Sequence, residues 1–173
     1  MKKLSTRIMV KISILTAMSV IFYYFEFRVI PGSPLKVDLS DVPVLIGAWL
    51  MGPLAGFMIA LLKNLVHFLT ISSDGNIAGE LANFGFSVLL MLPVVFIKTD
   101  RKFKNGILTI VSVVGVSLIM NVFNYYVTFP LYGLDQSNAW DILNAVYLPF
   151  NIVKGTILMV LFMLIKPTLK RIQ

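Results

Sequence analysis

The sequence contains no cysteine, only one histidine and few charged residues. Without cysteine, the chain forms neither disulfides nor thiolate metal sites, and a single histidine cannot build a histidine-rich metal site. It has no G-x-x-x-x-G-K-[ST] motif, so it is not predicted to hydrolyse ATP. It also has no Ser/His/Asp constellation of the kind found in hydrolases. These absences favour a protein that is not an enzyme and has no metal or cofactor.

Long apolar segments dominate the sequence. Of its 173 residues, 58% are hydrophobic and 13% charged, and the mean hydropathy is +0.88; soluble domains have about 25% charged residues. A membrane-spanning helix needs about 20 apolar residues. We therefore predict one all-α integral membrane domain over residues 1–173, a bundle of six transmembrane helices. The predicted helices cover about 8–27, 42–51, 54–71, 78–97, 107–131 and 142–165. The second is short, so it is expected to be tilted or partial, and Gly52-Pro53 separates it from the third.

The basic residues predict the orientation in the membrane. Three clusters hold 11 of the 15 lysines and arginines, and six spans place all three on one side. Because positive loops stay in the cytoplasm, both termini are predicted to be cytoplasmic. The net charge of +7 then reflects topology and does not indicate nucleic acid binding. The clusters are Lys2, Lys3, Arg7 and Lys11; Lys98, Arg101, Lys102 and Lys104; and Lys166, Lys170 and Arg171.

Three polar pairs interrupt the apolar segments. Each has an i,i+3 spacing, which places both side chains on one helix face. Polar groups in hydrocarbon are costly and normally face a bundle interior or a cavity. With both termini in the cytoplasm, all three pairs lie within about 15 Å of the outer ends of their helices. A single asparagine is equally well explained as an interhelical contact, worth about 0.6 kcal/mol. The whole set favours an outward-open pocket for a polar, planar small molecule. The pairs are Glu80/Asn83, Asn121/Asn124 and Asn151/Lys154.

The third segment adds Lys63 and Asn64 near mid-membrane. Lys63 is predicted to pair with Glu80 or another acid and hold helices together, and ligand contact is the alternative. Asn64 and Asn121 are likewise assigned a structural or ligand role. His67, one turn beyond Lys63, is interpreted as a packing histidine with its hydrogen bonds satisfied.

The loop between the first two segments carries Lys36, Asp38 and Asp41, which would cover a pocket. Asp41 is interpreted as an ordinary helix N-cap. In the first segment, Ser13 and Ala17 form a small-xxx-small pair, a spacing that lets helices approach closely.

Four stretches carry a family resemblance. They are LKVDLSDVPVLIGAWLMGPLAGFMIALLKNLVHFL (35–69), GELANF (79–84), NYYVTFPLY (124–132) and LPFNIVKG (148–155). In this combination and order the chain resembles the riboflavin-specific substrate-binding (S) subunits of energy-coupling factor (ECF) transporters.

The resemblance implies a six-helix subunit in the bacterial cell membrane that binds riboflavin from outside with high affinity. It implies docking on a transmembrane scaffold subunit and two cytoplasmic ATPases, with residues 28–41 covering the ligand. The flavin-contacting positions would be Glu80, Asn124, Asn151 and Lys154, and we add Asn83 and Lys36 from polarity and position. Small residues of the first helix face the scaffold in the family, which assigns that role to Ser13 and Ala17.

Three alternatives remain at this point. The first is an S subunit for another vitamin such as thiamin. The second is an autonomous membrane facilitator, and the third is a membrane scaffold without a ligand. The amide and lysine side chains suit the alternating acceptors and N–H of a flavin ring, whose hydroxylated chain suits Glu80.

Overall fold

The computed structural model describes residues 5–28, 35–70, 77–97 and 102–170, and this part of the chain is nearly all helical. Six helical elements follow one another. They are α1 (Thr6–Tyr24), α2 (Asp41–Met51), α3 (Pro53–Thr70), α4 (Ile77–Val94), α5 (Lys102–Phe123, continuing through Asn124–Thr128 and Phe129–Tyr132) and α6 (Ala139–Ile142, continuing through Leu143–Tyr147 and Leu148–Lys170). All except α2 are long and apolar enough to cross a membrane. The predicted helical membrane architecture is thus confirmed in its main feature.

A small β-ribbon departs from the all-α prediction. Strand β1 (Phe27–Arg28) pairs antiparallel with β2 (Lys36–Val37), with Phe27 opposite Val37. The first helix consequently ends at Tyr24 and not at residue 27, because the chain leaves the helix to enter the ribbon. The ribbon pairs the start of the predicted covering loop, at Arg28, with Lys36 within that loop. Residues 29–34 of that loop lie outside the described residues, as do Ser73 and the basic residues Lys2, Lys3, Lys98, Arg101 and Arg171.

Helix α2 occupies only half of the bundle's depth. Its 11 residues give a length of about 16 Å, roughly half of a 30 Å hydrocarbon core. At its start, Asp41 contacts Ser87 in the middle of α4. Near its end, the Trp49 indole N–H donates to the carbonyl of Ile97, just beyond α4. The segment before α2 therefore carries polar residues into the centre of the bundle.

A tight turn joins α2 to α3. Gly52 has a φ of +99°, which glycine adopts without steric cost, and Pro53 begins α3. The two helices then pack closely, because Gly56 has no side chain to separate them. A Cβ at Gly56 would lie 2.7 Å from the Cβ of Ala48 and 2.5 Å from the sulfur of Met91. Apolar residues of α2, α3, α4, α5 and α6 form the main core around this contact.

Two π-helical turns widen α5 and α6. Asn124–Thr128 and Leu143–Tyr147 each form one such turn inside an otherwise α-helical segment. In the first, the Thr128 hydroxyl donates to the side-chain oxygen of Asn124 at 2.9 Å. Single π-turns within α-helices frequently occur at functional sites. Here Asn124, Thr128 and Tyr147 all line the cavity described next.

Candidate ligand-binding site

A cavity of about 140 Å³ lies between the ribbon and helices α1, α3, α4, α5 and α6. Its lining combines aromatic and aliphatic walls with polar groups, as ligand pockets usually do. The residues are Tyr23, Glu26, Leu35, Lys36, Asp38, His67, Gly79, Glu80, Ala82, Asn83, Phe86, Met120, Asn124, Thr128, Tyr132, Tyr147, Phe150, Asn151 and Lys154.

The structure brings one group of predicted site residues together and leaves another apart. All six predicted ligand-binding residues line the cavity: Lys36, Glu80, Asn83, Asn124, Asn151 and Lys154. The three residues given a structural or ligand role, Lys63, Asn64 and Asn121, are not on its lining. The polar pairs on α4 and α6 thus contribute both members, whereas α5 contributes only Asn124.

Lys154 is held by two hydrogen-bond partners from distant parts of the chain, and a carboxylate oxygen of Asp41 lies 3.8 Å from its ammonium group. Its ammonium group lies 3.2 Å from a carboxylate oxygen of Asp38 and 3.3 Å from the amide oxygen of Asn83. It also lies 5.2 Å from the centre of the Phe86 ring. The lysine is buried, and Asp38 neutralises its charge, so a cation is fixed in position on the cavity wall. Asp38 enters this position on the segment between β2 and α2.

Beside the cavity, Lys63 and Asp41 form a fully buried ion pair. Their charged atoms are 2.6 Å apart, and the ammonium group also donates to the Ser40 hydroxyl at 2.6 Å. Ser87 of α4 donates to the same Asp41 oxygen. The predicted role of Asp41 as an ordinary N-cap is wrong: Ser40 precedes the helix, and the Asp41 side chain binds Lys63. The ion pair links α2, α3 and α4.

A second polar cluster lies where the ribbon meets the cavity. Lys36 of β2 forms a 2.5 Å ion pair with Glu26, and both side chains are partly exposed. Glu80 lies 2.6 Å from Nδ1 of His67 and accepts a hydrogen bond from the Tyr23 hydroxyl at 3.2 Å. Glu80 therefore connects α1, α3 and α4, and the Lys36–Glu26 pair lies beside it, with Glu26 3.9 Å from Nε2 of His67.

His67 is not the satisfied packing residue that its sequence position suggested. It lines the cavity, and its ring stacks on Tyr23 with the centroids 3.6 Å apart. Its Nε2 atom is buried without a hydrogen-bond partner among the described residues. Among the described residues, the side-chain nitrogen Nδ2 of Asn151 is the other cavity-lining polar atom that is buried without a hydrogen-bond partner. Buried polar groups normally have partners, so both atoms are available to a bound molecule.

Asn64 and Asn121 make contacts within the protein. The Asn64 amide donates to the carbonyl of Ala60, one turn earlier in α3. The Asn121 amide donates to the carbonyl of Leu143 and the side-chain oxygen of Asn144, which joins α5 to α6. Ser13 and Ala17 lie on the exposed face of α1 and take no part in the cavity.

Sequence reasoning did not select Tyr23, Glu26 and His67 as site residues. Tyr23 and Glu26 lie at the end of the first apolar run, where aromatic and charged residues commonly mark the membrane boundary. His67 carried a usable signal, because it is one turn beyond Lys63 on the face that already bears a buried charge. Asp38 was placed only in a covering loop, since loop residues are expected to be outside the membrane.

Comparisons with known proteins agree on one family. The profile of the family described as "ECF transporter, substrate-specific component" matches residues 7–166. The chain is 32% identical to the riboflavin transporter RibU of Staphylococcus aureus, covering 91% of this chain and 87% of that protein. It is 30% identical to the riboflavin transporter FmnP of Bacillus subtilis, covering 94% and 91%. A solved structure described as the S component of a bacterial ECF transporter superposes with a TM-score of 0.79, at 32% identity and 96% coverage of both chains.

Proposed function

The chain belongs to the family of substrate-specific components of ECF transporters, as its motifs predicted, and we propose that it captures riboflavin for uptake into the cell. The family is one of transporters and not of enzymes. The ligand assignment is supported by two relatives that are named riboflavin transporters. The similarity to each of them extends along nearly their whole length. Neither of these two relatives is named for another vitamin.

The observation that carries the proposal is the set of polar groups on the cavity wall. Asn124 and Asn151 supply amides, and Lys154 supplies a fixed ammonium group. The flavin ring has an edge of alternating acceptors and one N–H, which amide and ammonium groups complement. The free Nδ2 of Asn151 donates to a ring carbonyl in this arrangement. Phe86, Met120, Tyr147 and Phe150 contribute apolar surface for the ring faces.

The second polar cluster suits the hydroxylated chain of riboflavin. Glu80 accepts hydrogen bonds from hydroxyl groups, and Asn83 and Lys36 lie on the same cavity lining. Binding uses fixed groups on α4, α5 and α6, so high affinity follows from a site that is already assembled.

We further propose a six-span topology with both termini in the cytoplasm and the cavity open to the outside. Because the chain has no nucleotide-binding motif, accumulation needs energy from elsewhere. A transmembrane scaffold subunit carrying two cytoplasmic ATPases would supply it. The exposed small residues Ser13 and Ala17 on α1 form the proposed scaffold contact.

Flavin fluorescence quenching with purified protein tests the ligand. The fluorescence of riboflavin is expected to be quenched by an equimolar amount of protein. Excess thiamin is expected not to displace riboflavin and so not to restore the fluorescence. Asn151→Ala removes a donor that has no partner in the described part of the chain. Riboflavin affinity is therefore expected to fall roughly 5- to 150-fold, for a loss of about 1–3 kcal/mol, with little change in melting temperature.

Asn121→Ala is the matched control, because it removes an amide that contacts only protein and lies off the cavity lining. It is expected to lower the melting temperature and retain affinity. A wild-type protein that binds no riboflavin refutes the proposal. If Asn121→Ala loses affinity and Asn151→Ala keeps it, the site lies elsewhere.

A further inference from the structure

His67 has one ring nitrogen bound to the protein and the other free. Nδ1 lies 2.6 Å from a carboxylate oxygen of Glu80, so Nδ1 carries a hydrogen and donates it. Nε2 is buried on the cavity lining without a hydrogen-bond partner among the described residues. An oxygen of Glu26 lies 3.9 Å from Nε2, which is too far for a hydrogen bond.

The imidazole ring is held in this orientation from two sides. It stacks on Tyr23 with an interplanar angle of 12°, and only 2% of the His67 surface is exposed. The Tyr23 hydroxyl and Nδ1 of His67 bind the two oxygens of the same Glu80 carboxylate. Turning the ring to satisfy Nε2 would break the contact with Glu80. The free nitrogen is therefore a fixed feature of the cavity.

We propose that His67 is a ligand-contacting, specificity-determining residue whose Nε2 pairs with a hydroxyl of the polyhydroxylated side chain of the ligand. The proposal rests on the proposed function, since riboflavin carries such a chain. Glu80 is bound to Nδ1 and Glu26 is paired with Lys36, so the charges beside the imidazole already have partners and an uncharged group suits Nε2. A hydroxyl is neutral and both donates and accepts, which satisfies Nε2 whether or not it carries a hydrogen.

The first test compares two ligands and two variants by fluorescence quenching. Lumiflavin has the flavin ring with a methyl group in place of the hydroxylated chain. In His67→Asn, the short amide can still donate to Glu80 but does not reach the position of Nε2. We expect a roughly 5- to 150-fold loss of riboflavin affinity and less than about a twofold change for lumiflavin. His67→Gln, whose longer amide reaches the Nε2 position, should regain most of the riboflavin affinity.

A second test needs no variant. Because His67 is the only histidine in the sequence, nitrogen-15 histidine labelling of an untagged protein reports Nε2 without ambiguity. Riboflavin is expected to shift the Nε2 resonance, and lumiflavin is expected to leave it near its ligand-free position.

Equal losses for both flavins in His67→Asn would overturn the proposal, as would an Nε2 resonance that riboflavin does not move. Both outcomes presume that the wild-type protein binds riboflavin. If it binds neither flavin, the proposed function itself fails, and the two failures are therefore distinguishable.

Discussion

At the scale of residues, each lysine near the site is matched by a carboxylate. Lys63 pairs with Asp41, Lys154 with Asp38 and Lys36 with Glu26. The first two pairs are buried, whereas the third is partly exposed. Removing one partner of a buried pair leaves an isolated charge, at a cost of about 3–5 kcal/mol, whereas exposed pairs contribute about 0–1 kcal/mol. Stability should therefore depend on the location of each pair.

Lys63→Met is expected to destabilise the protein strongly, because it removes the 2.6 Å partner of the fully buried Asp41 and leaves that carboxylate with Lys154 at 3.8 Å. Adding Asp41→Asn in the same chain should recover much of the loss, since the poorly compensated charge is removed. Thermal unfolding in detergent measures both effects. Lys36→Met is the matched control and should change the melting temperature little. Equal effects of Lys63→Met and Lys36→Met would contradict this view of the buried pair.

Lys154→Ala should lower both riboflavin affinity and stability, because Lys154 lines the cavity and also neutralises Asp38. Adding Asp38→Asn removes the uncompensated charge and should restore the melting temperature without restoring affinity. Flavin titration and thermal unfolding of the single and double variants separate the two roles. A double variant that binds riboflavin normally would exclude Lys154 from ligand contact.

At the scale of elements, the apolar runs predicted where helices exist but not how they end or widen. A run of about 20 apolar residues has few alternatives to a membrane helix, because backbone groups in hydrocarbon need internal partners. Each strand of the β-ribbon has two residues, which are too few to show the alternation of apolar and polar residues that predicts a strand. The π-turns at Asn124–Thr128 and Leu143–Tyr147 depend on packing between helices and have no local pattern.

The same distinction applies to the site. Glu80, Asn83, Asn151 and Lys154 were accessible to sequence reasoning, since an i,i+3 pair in an apolar helix has a known face. Asp38 acquires its role from Lys154, 116 residues later, and His67 acquires its role from Glu80 on the next helix. Those contacts follow from the tertiary arrangement, and no spacing in one segment encodes them.

Helix packing at Gly56 gives a prediction at this scale. Gly56→Ala should destabilise the protein, because the new Cβ would lie within 3.2 Å of the Ala48 backbone in α2. Gly115→Ala in α5 is the matched control: a Cβ there meets nothing within 4 Å, and alanine favours a helix over glycine by up to about 1 kcal/mol. Thermal unfolding should show opposite signs for the two changes. A neutral Gly56→Ala would argue against close contact between α2 and α3.

At the scale of the whole molecule, the proposed topology can be tested by cysteine labelling, since the native chain has no cysteine. Ser137 lies in the exposed connection between α5 and α6, and Thr168 lies near the end of α6. A membrane-impermeant maleimide should label Ser137→Cys in intact cells and Thr168→Cys only after permeabilisation. The reverse pattern would invert the topology and place the cavity toward the cytoplasm.

The proposed partner surface, Ser13 and Ala17, lies off the cavity lining. Ala17→Trp adds bulk to the exposed face of α1, so riboflavin binding in detergent should stay nearly unchanged. Uptake in cells that contain the transport module should fall, because α1 would no longer approach the scaffold closely. Loss of both riboflavin binding and uptake would show that this face of α1 is needed for folding and not only for partner contact. Normal uptake would place the partner contact elsewhere.

The hairpin of α2 and α3 has a consequence for biosynthesis. Asp41 and Lys63 lie on its two arms, 22 residues apart, so their charges can be neutralised before the C-terminal half of the chain has been made. Helix α2 is too short to stop translocation alone, and its entry into the bilayer is therefore tied to that of α3. Asp38 meets Lys154 only 116 residues later. The cavity wall is thus completed last, when the final helix leaves the ribosome and joins the bundle.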